Sequence, residues 1–251
     1  MAIHDFKSQR LYVEPDLASG KTFEATREQA NYLLNVLRMA DGSEILVFNG
    51  KDGEWLTQIQ VSGRKKCDLK PVELIRHQPE PSKLVYCFAP LKQARLDYMI
   101  QKAVEMGAGM LQPVITQFTQ VRSINEKRVF SNAVEAAEQC GIISLPEIRQ
   151  PVALRDLPKQ LGEETRLVFC DEEAGEQPMA ANGKESGDNP IAVLIGPEGG
   201  FSQEEREMIR SWPKVMQLGL GPRILRADTA AVAALALVQT QFGDWYANKD
   251  R

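Results

Sequence analysis

The chain has 251 residues, of which 43% are apolar, 25% charged and 7% aromatic. This length and composition exclude fibrous, collagenous and wholly disordered proteins, and they allow one large domain or two modest ones. The net charge is −4, so the average charge gives no sign of a polyanionic partner. Residues 156–207 carry 13 acidic against 4 basic residues, whereas residues 81–155 and 208–251 are mildly basic. Nucleic-acid binding therefore remains open.

Cysteine and histidine usage limits the possible chemistry. The four cysteines are widely spaced, and only two histidines, His4 and His77, are present. We therefore expect no metal site and no disulfide framework, and Ser-His-Asp or Cys-His catalysis has few candidate residues. The N-terminus lacks an apolar signal region, and no segment reaches the roughly 18 unbroken apolar residues of a membrane helix. These features predict a cytoplasmic protein without membrane association.

Two prolines in the segment 78–82 predict a boundary between two domains, residues 1–78 and residues 82–251. Before this boundary, short apolar runs predict several strands, and apolar residues that share one helical face, Ala30, Leu33, Leu34 and Leu37, predict one helix. The helix runs from Arg27 to Met39. The strands cover 10–13, 44–50, 54–63 and 66–75. Many short strands with one helix predict a small β-barrel.

After the boundary, apolar runs alternate with amphipathic stretches. The runs at 83–90, 110–116, 166–171, 191–196 and 215–221 are predicted strands. Helices are predicted from Lys92 to Met106 and from Glu126 to Cys140, the second capped by Asn125. The Gly-rich insert 172–189 is predicted to be a mobile surface loop. This alternation predicts an α/β domain whose mostly parallel sheet has flanking helices.

The first unusual loop follows the strand that ends at Ile195. It reads Gly196-Pro197-Glu198-Gly199-Gly200, and Ser202 with Glu205 then forms a capping-box pattern. Ligands in α/β sheets bind beyond the carboxyl ends of strands, and glycines let a backbone approach a ligand closely. The alternative is that this loop is only a tight turn from strand to helix.

The second unusual loop covers residues 218–229 and opens an Ala-rich helix. Arg223 and Arg226 lie near the N-terminus of this helix, where an RNA phosphate would be favoured. The alternative is that Asp228 caps the helix and an arginine pairs with a nearby carboxylate. The helix after Asp228 is apolar almost all round, which predicts a core helix or one shared with a second subunit.

Four segments in this order resemble the RsmE family: IQKAVEMGA (100–108), EAAEQCG (135–141) with PEI (146–148), LIGPEGGFSQEE (194–205) and LGPRILRADTA (220–230). That family consists of SPOUT-class, trefoil-knotted methyltransferases. RLYV near the start and LLNVLRM (33–39) are similar to its N-terminal PUA-like barrel. The resemblance covers residues from about 10 to about 243.

The resemblance implies a PUA-like, RNA-binding β-barrel in residues 1–78 and a SPOUT domain with a C-terminal knot in residues 82–251. It implies methylation, by S-adenosylmethionine, of the N3 atom of a uridine in 16S rRNA of the small ribosomal subunit. It also implies a homodimer. The residues that it assigns to the cofactor are Phe169, Cys170, Leu194, Ile195, Gly196, Pro197, Glu198, Gly199, Gly200, Leu218, Gly219, Leu220, Ile224 and Leu225.

Methyl transfer to a uridine nitrogen needs a cation to stabilise the uridine anion and a group that accepts the proton. Arg226 and Arg223 are the candidate cations. The candidate proton acceptors are Asp228, Glu198 and Glu138.

Four basic residues are candidates for binding RNA. Arg10 and Arg38 lie in segments that resemble the family, and Lys92 and Arg95 open the first helix of the second domain. The sequence departs from the family pattern at Asp228, where many relatives carry Glu, and at Ile142, where many carry Arg.

Two other functions remain open. One is a different SPOUT reaction, methylation of a ribose 2′-hydroxyl or of guanine. The other is a protein that binds RNA during ribosome assembly without catalysis.

Overall fold

The computed structural model describes residues 8–173 and 189–245, so most of the predicted loop 172–189 lies outside the described residues. The chain divides into two compact units. Of the described residues, those up to Glu80 together with 134–145 form the N-terminal unit, and the others form the C-terminal unit. Within the described ranges, no helix is both long and apolar enough to cross a membrane.

The N-terminal unit is built on one mixed sheet. Its strands are β1 (Arg10–Tyr12), β2 (Phe23–Glu24), β3 (Glu44–Phe48), β4 (Glu54–Gly63) and β5 (Lys66–Arg76). They lie in the order β1-β3-β4-β5-β2, with β1 parallel to β3 and the other neighbours antiparallel. Fully buried Val13, Val47 and Ile59 belong to its core. The four predicted strands are confirmed to within two residues at each end, and the two-residue β2 was too short to predict.

The predicted helix from Arg27 to Met39 is wrong in its second half. The α-helix α1 covers only Arg27–Asn31, and a π-helical turn continues it over Tyr32–Val36. The Leu37 N–H donates to the Tyr32 carbonyl at 2.9 Å, and Arg38 has a left-handed φ of 56°. A widened turn followed by a left-handed residue ends the helix early, and apolar spacing alone cannot reveal this.

Residues 134–145, which the sequence places in the second domain, form hydrogen bonds with strands of the N-terminal unit. The backbone N–H of Tyr12 donates to Glu138 Oε1 at 2.8 Å. Arg76 Nη2 donates to the Gly141 carbonyl at 2.9 Å. Polar contacts of this kind leave no apolar pattern in the sequence, so the pattern cannot predict this grouping.

The C-terminal unit has a parallel sheet flanked by helices. Its strands are β6 (Leu84–Phe88), β7 (Met110–Ile115), β8 (Glu147–Ile148), β9 (Val152–Ala153), β10 (Arg166–Cys170), β11 (Ile191–Ile195) and β12 (Val215–Leu218). Its order is β12-β10-β11-β6-β7-β8, with β9 beside β7, and every described pairing is parallel. The helices are α2 (Gln93–Glu105), α3 (Glu126–Cys140), α4 (Leu157–Leu161), α5 (Gln203–Arg210) and α6 (Ala227–Gln241). The second half of α3 belongs to the N-terminal unit.

Burial explains why this sheet was predictable. Every residue of the central strands β6 and β11 is buried, and continuous apolar runs are typical of such strands. The Arg128 N–H donates to Asn125 Oδ1 at 3.2 Å, so Asn125 caps α3 as predicted. The short elements β8, β9 and α4 were not predicted. The knot that the resemblance implies stays a prediction.

Helix α6 is buried on one side only. Ala231, Ala234 and Leu235 are at most 1% exposed, whereas Leu237 is 42% exposed. The helix packs against α2 and β11. The first sequence alternative, a core helix covered on all sides within one chain, is therefore wrong, because Leu237 faces away from the core.

Candidate active site

A cavity of about 510 Å³ lies at the carboxyl ends of β10, β11 and β12. Its size is within the roughly 300–1,000 Å³ typical of small-molecule sites. The loops that follow the three strands form its wall, as expected for ligand sites in parallel sheets. The predicted cofactor residues that line it are Cys170, Ile195, Gly196, Pro197, Glu198, Gly200, Leu218, Gly219, Leu220, Ile224 and Leu225.

Three other residues of the predicted cofactor set do not line this cavity. Phe169 and Leu194 are fully buried in the core beneath it. A Cβ atom on Gly199 would lie 3.1 Å from Phe118 Cβ. Cofactor contact by these three residues stays a prediction.

The glycines of the β11 loop allow close packing. A Cβ on Gly196 would come within 2.7 Å of the Phe201 ring, and Gly200 has a φ of 65°. The Phe201 ring in turn meets Phe169 edge to face, with ring centres 5.0 Å apart. Ser202 and Glu205 form the predicted capping box at the start of α5. The loop is thus a tight turn and also a cavity wall, and its contact with a ligand stays a prediction.

A group of charged side chains follows β10 and includes one wall residue of the cavity. Asp171 lines the cavity, its side chain is fully buried, and it pairs with Arg206 at 3.0 Å and Arg210 at 2.8 Å. Arg206 also pairs with Glu172 at 2.8 Å. Sequence reasoning missed this cluster. The signal was the acidic run that follows β10 directly: Asp171 was predicted to end a strand, and Glu172 to begin a surface loop.

Arg223 and Arg226 lie in the loop between β12 and α6. Both are exposed and line the cavity. In the part of the chain that the structure describes, neither forms an ion pair. The alternative in which Asp228 caps α6 and holds an arginine is wrong, because Arg226 is the N-cap residue and, among the described residues, Asp228 Oδ1 accepts only from the Thr229 N–H, at 2.9 Å. Asp228 does not line the cavity.

Two neutral groups lie at or beneath the cavity: Cys170 lines it, and Tyr86 is buried in the core. Desolvation raises the pKa of the Cys170 thiol well above its ordinary value, so the thiol stays protonated at neutral pH. The hydroxyl of Tyr86, in β6, is buried without a hydrogen-bond partner among the described residues. Burial raises the pKa of Tyr86 most, and Cys170, Cys87 and Asp228 raise it further.

A second cavity, of about 360 Å³, is lined by Lys92, Ala94, Arg95, Gln120 and Glu198. Arg95 Nη1 donates to Glu198 Oε1 at 3.0 Å, and both side chains are more than a third exposed. The structure therefore brings two of the predicted RNA-binding residues together, close to the first cavity.

The other two predicted RNA-binding residues differ from each other. The prediction that Arg10 binds RNA is wrong. Its side chain is 5% exposed, and its Nε lies 2.8 Å from Oε1 of the buried Glu54. Arg76 pairs with the same carboxylate at 2.7 Å. A guanidinium held in this way stabilises the fold and is not available to RNA. Arg38 is exposed at the end of the π-helical turn.

Glu138 is also a correction among the candidate proton acceptors. It binds the Tyr12 backbone within the N-terminal unit and lines neither cavity. Burial is the main cause of its raised pKa. Within the described ranges, no group of three or more His, Cys, Asp or Glu side chains is placed to hold a metal ion.

Comparison with known proteins decides the family. Residues 78–239 match the family described as RNA methyltransferase domain, and residues 25–72 match the RNA methyltransferase PUA domain. A relative from Rickettsia conorii, named ribosomal RNA small subunit methyltransferase E, is 31% identical over 93% of this chain and 96% of its own. The chain belongs to the RsmE family. The family member from Bacillus subtilis is 27% identical over 93% of this chain and 96% of its own.

Solved structures agree with the RsmE assignment. A protein from Legionella pneumophila, solved with bound SAM, has a TM-score of 0.83 and 30% identity, covering 95% of this chain and 99% of that one. The ribosomal RNA small subunit methyltransferase E of Neisseria gonorrhoeae, bound to S-adenosylmethionine, has a TM-score of 0.82 and 25% identity, with the same coverage. The predicted RsmE architecture is confirmed: a PUA-like domain followed by a mostly parallel SPOUT-type sheet.

Proposed function

We propose that this RsmE-family chain transfers a methyl group from S-adenosylmethionine to N3 of a uridine in 16S rRNA of the small ribosomal subunit. One observation carries the proposal. A cavity walled by glycine-rich backbone at the carboxyl ends of three strands is bordered by two arginines, Arg223 and Arg226, without ion-pair partners among the described residues. The S-adenosylmethionine bound to related structures supports it. A ribosomal substrate places the reaction in the cytoplasm.

The cavity suits this cofactor chemically. Leu218, Ile224 and Phe201 offer apolar surface for an adenine ring, and Gly219 leaves room beside them. The neutral Cys170 thiol adds no charge to this part of the wall. When bound, S-adenosylmethionine supplies an electrophilic methyl group on a sulfonium. The residues of the wall would hold it and keep water away.

Gly219→Val tests this site, because a branched side chain would fill the cavity. We expect calorimetric titration with S-adenosylmethionine to show no binding and circular dichroism to show an intact fold. Gly63→Val is the matched control: a Cβ there meets nothing closer than 3.7 Å, in the N-terminal unit. Equal affinity of both variants for the cofactor would contradict the proposed site.

The arginines have a specific task in this reaction. The imide nitrogen of uridine must lose its proton before it attacks, and a cation stabilises the anion that forms. Arg226 and Arg223 can reach a base at the cavity mouth because no carboxylate among the described residues holds them. Glu198 borders the cavity, so its carboxylate is the proposed proton acceptor, whereas Asp228, the other candidate, does not line the cavity.

The exposed side of α6 supports a homodimer. Leu237 is 42% exposed on a helix of small apolar residues, and a two-fold interface would repeat each contact. We expect Leu237→Arg to give monomers in sedimentation velocity while the wild type sediments as a dimer. Ala234→Arg would not test this, because Ala234 is fully buried in its own chain. A monomeric wild type at micromolar concentration would contradict the dimer.

Nucleoside analysis tests the proposed function. Small-subunit rRNA from cells that lack the protein is digested, and its methylated nucleosides are measured by mass spectrometry. The proposal predicts that 3-methyluridine alone is lost. Loss of a different methylated nucleoside would favour ribose or guanine methylation, and no loss would favour an RNA-binding assembly protein.

A further inference from the structure

The second cavity lies at the carboxyl ends of three neighbouring parallel strands. Glu198 follows β11, Lys92 and Arg95 follow β6, and Gln120 follows β7. The first cavity uses the ends of β10, β11 and β12. The two cavities therefore lie side by side along one edge of the sheet, and the β11 loop separates them.

Glu198 belongs to the walls of both cavities. On the side of the second cavity its carboxylate receives the Arg95 guanidinium, 3.0 Å away. Their side chains are 38% and 40% exposed, so water screens the pair. Such a pair contributes little to stability, and Arg95 can exchange its partner at low cost.

The loop that carries Gln120 is held in place by contacts that do not involve a ligand. Thr119 is buried, and its hydroxyl accepts from the Thr116 N–H at 2.9 Å. The Gln117 N–H donates to Glu205 Oε1 at 2.7 Å. Because Glu205 also caps α5 with Ser202, the β7 loop and the β11 loop are fixed by the same carboxylate. This arrangement preorganises the second cavity.

The side chains of the second cavity favour an anionic ligand. Two positive charges, on Lys92 and Arg95, exceed the one negative charge on Glu198, and the Gln120 amide adds hydrogen-bond donors. Lys92 forms no ion pair among the described residues. A guanidinium, an ammonium and an amide are the groups that proteins use on nucleic-acid phosphates.

We propose that the second cavity binds a backbone phosphate of the RNA strand beside the target uridine, and that Arg95 leaves Glu198 to bind this phosphate. This inference rests on the proposed function, since it assumes an RNA substrate at the first cavity. The exchange frees the Glu198 carboxylate at the wall between the cavities only when RNA is present. The phosphate contact then fixes the position of the RNA strand and does not distinguish one base from another.

The test compares RNA binding and cofactor binding in matched variants. The probe is isolated small ribosomal subunits from cells that lack the protein, titrated at several salt concentrations. Arg95→Gln is expected to weaken binding about tenfold and to lower the salt slope by about one, as for one lost phosphate contact. Glu198→Gln is expected to tighten binding, because the competing carboxylate is gone. The affinity of Arg95→Gln for S-adenosylmethionine stays unchanged.

A second ion pair provides the controls. Lys214 Nζ lies 2.8 Å from Glu164 Oε2, and both side chains are exposed. Both residues come just before strands, Glu164 before β10 and Lys214 before β12, so they lie at the amino ends of the strands, away from both cavities. Lys214→Gln and Glu164→Gln should bind subunits like the wild type. If Arg95→Gln behaves like Lys214→Gln while the wild type still binds and methylates subunits, the phosphate site is wrong and the proposed function stands. If the wild type itself neither binds nor methylates them, the proposed function has failed.

Discussion

Two pairs of arginines differ in their partners and in their relation to the first cavity. Arg223 and Arg226 line the cavity, whereas Arg206 and Arg210 contact Asp171 of its wall. Arg206 is 7% exposed and pairs with Asp171 and Glu172, and Arg210 pairs with the same Asp171. Arg223 and Arg226 are exposed on the opposite loop and form no ion pair among the described residues. The sequence alone does not show which of the four arginines has an acidic partner. The buried carboxylate of Asp171 holds Arg206 and Arg210 beside the wall of the cavity, which leaves Arg223 and Arg226 available to a substrate.

The N-terminal unit repeats the contrast. Arg10 and Arg38 both lie in segments that resemble the RsmE barrel, yet Arg10 is held by the buried Glu54 and Arg38 faces solvent. A charged side chain in a family motif is thus a poor guide to RNA binding until its partner is known.

The largest expected effect is on stability, from removing a paired arginine. Arg206→Met should lower the free energy of unfolding by about 3–5 kcal/mol, because it leaves the buried Asp171 with one cation fewer. Urea denaturation measures this. Lys214→Met, which removes an exposed pair, should change the free energy of unfolding by at most about 1 kcal/mol. If Arg206→Met also changed the free energy of unfolding by at most about 1 kcal/mol, Arg206 would support the fold no more than an exposed ion pair does, which would contradict the account.

The next effect is on catalysis, from an unpaired arginine. Arg226→Ala should lower kcat roughly 100-fold to 1,000-fold, the usual cost of losing one group that stabilises a developing anion. Its side chain makes no capping hydrogen bond to α6, so stability should change by no more than about 0.5 kcal/mol. Calorimetry should show unchanged affinity for S-adenosylmethionine. A parallel loss of affinity and kcat would assign Arg226 to the cofactor pocket.

The smallest effect is expected at Arg38. Arg38→Ala should weaken binding to small ribosomal subunits by a factor of about three, since an exposed cation contributes mainly long-range attraction, and this loss should vanish at high salt. The fold should be unaffected. Arg10→Met is the contrasting variant and should unfold at a lower urea concentration. Equal stability of the two variants would contradict the division between them.

Apolar patterns predicted the parallel sheet because β6 and β11 are buried along their whole length. The resemblance to the RsmE family likewise assigned most of the residues that line the cavity. Features that depend on polar partners were missed, because a sequence does not show which carboxylate an arginine meets. The Asp171 cluster and the role of Arg10 are examples. The π-helical turn at Tyr32–Val36 was missed because its apolar spacing resembles that of an α-helix.

The most direct test of the central claim is methyl transfer with purified components. Small ribosomal subunits from cells lacking the protein are incubated with the purified chain and S-adenosylmethionine that carries a labelled methyl group. The rRNA is then digested and its nucleosides are separated by mass spectrometry. The account predicts label in 3-methyluridine with the wild type and almost none with Arg226→Ala. Label in another nucleoside, or equal labelling by both proteins, would contradict it.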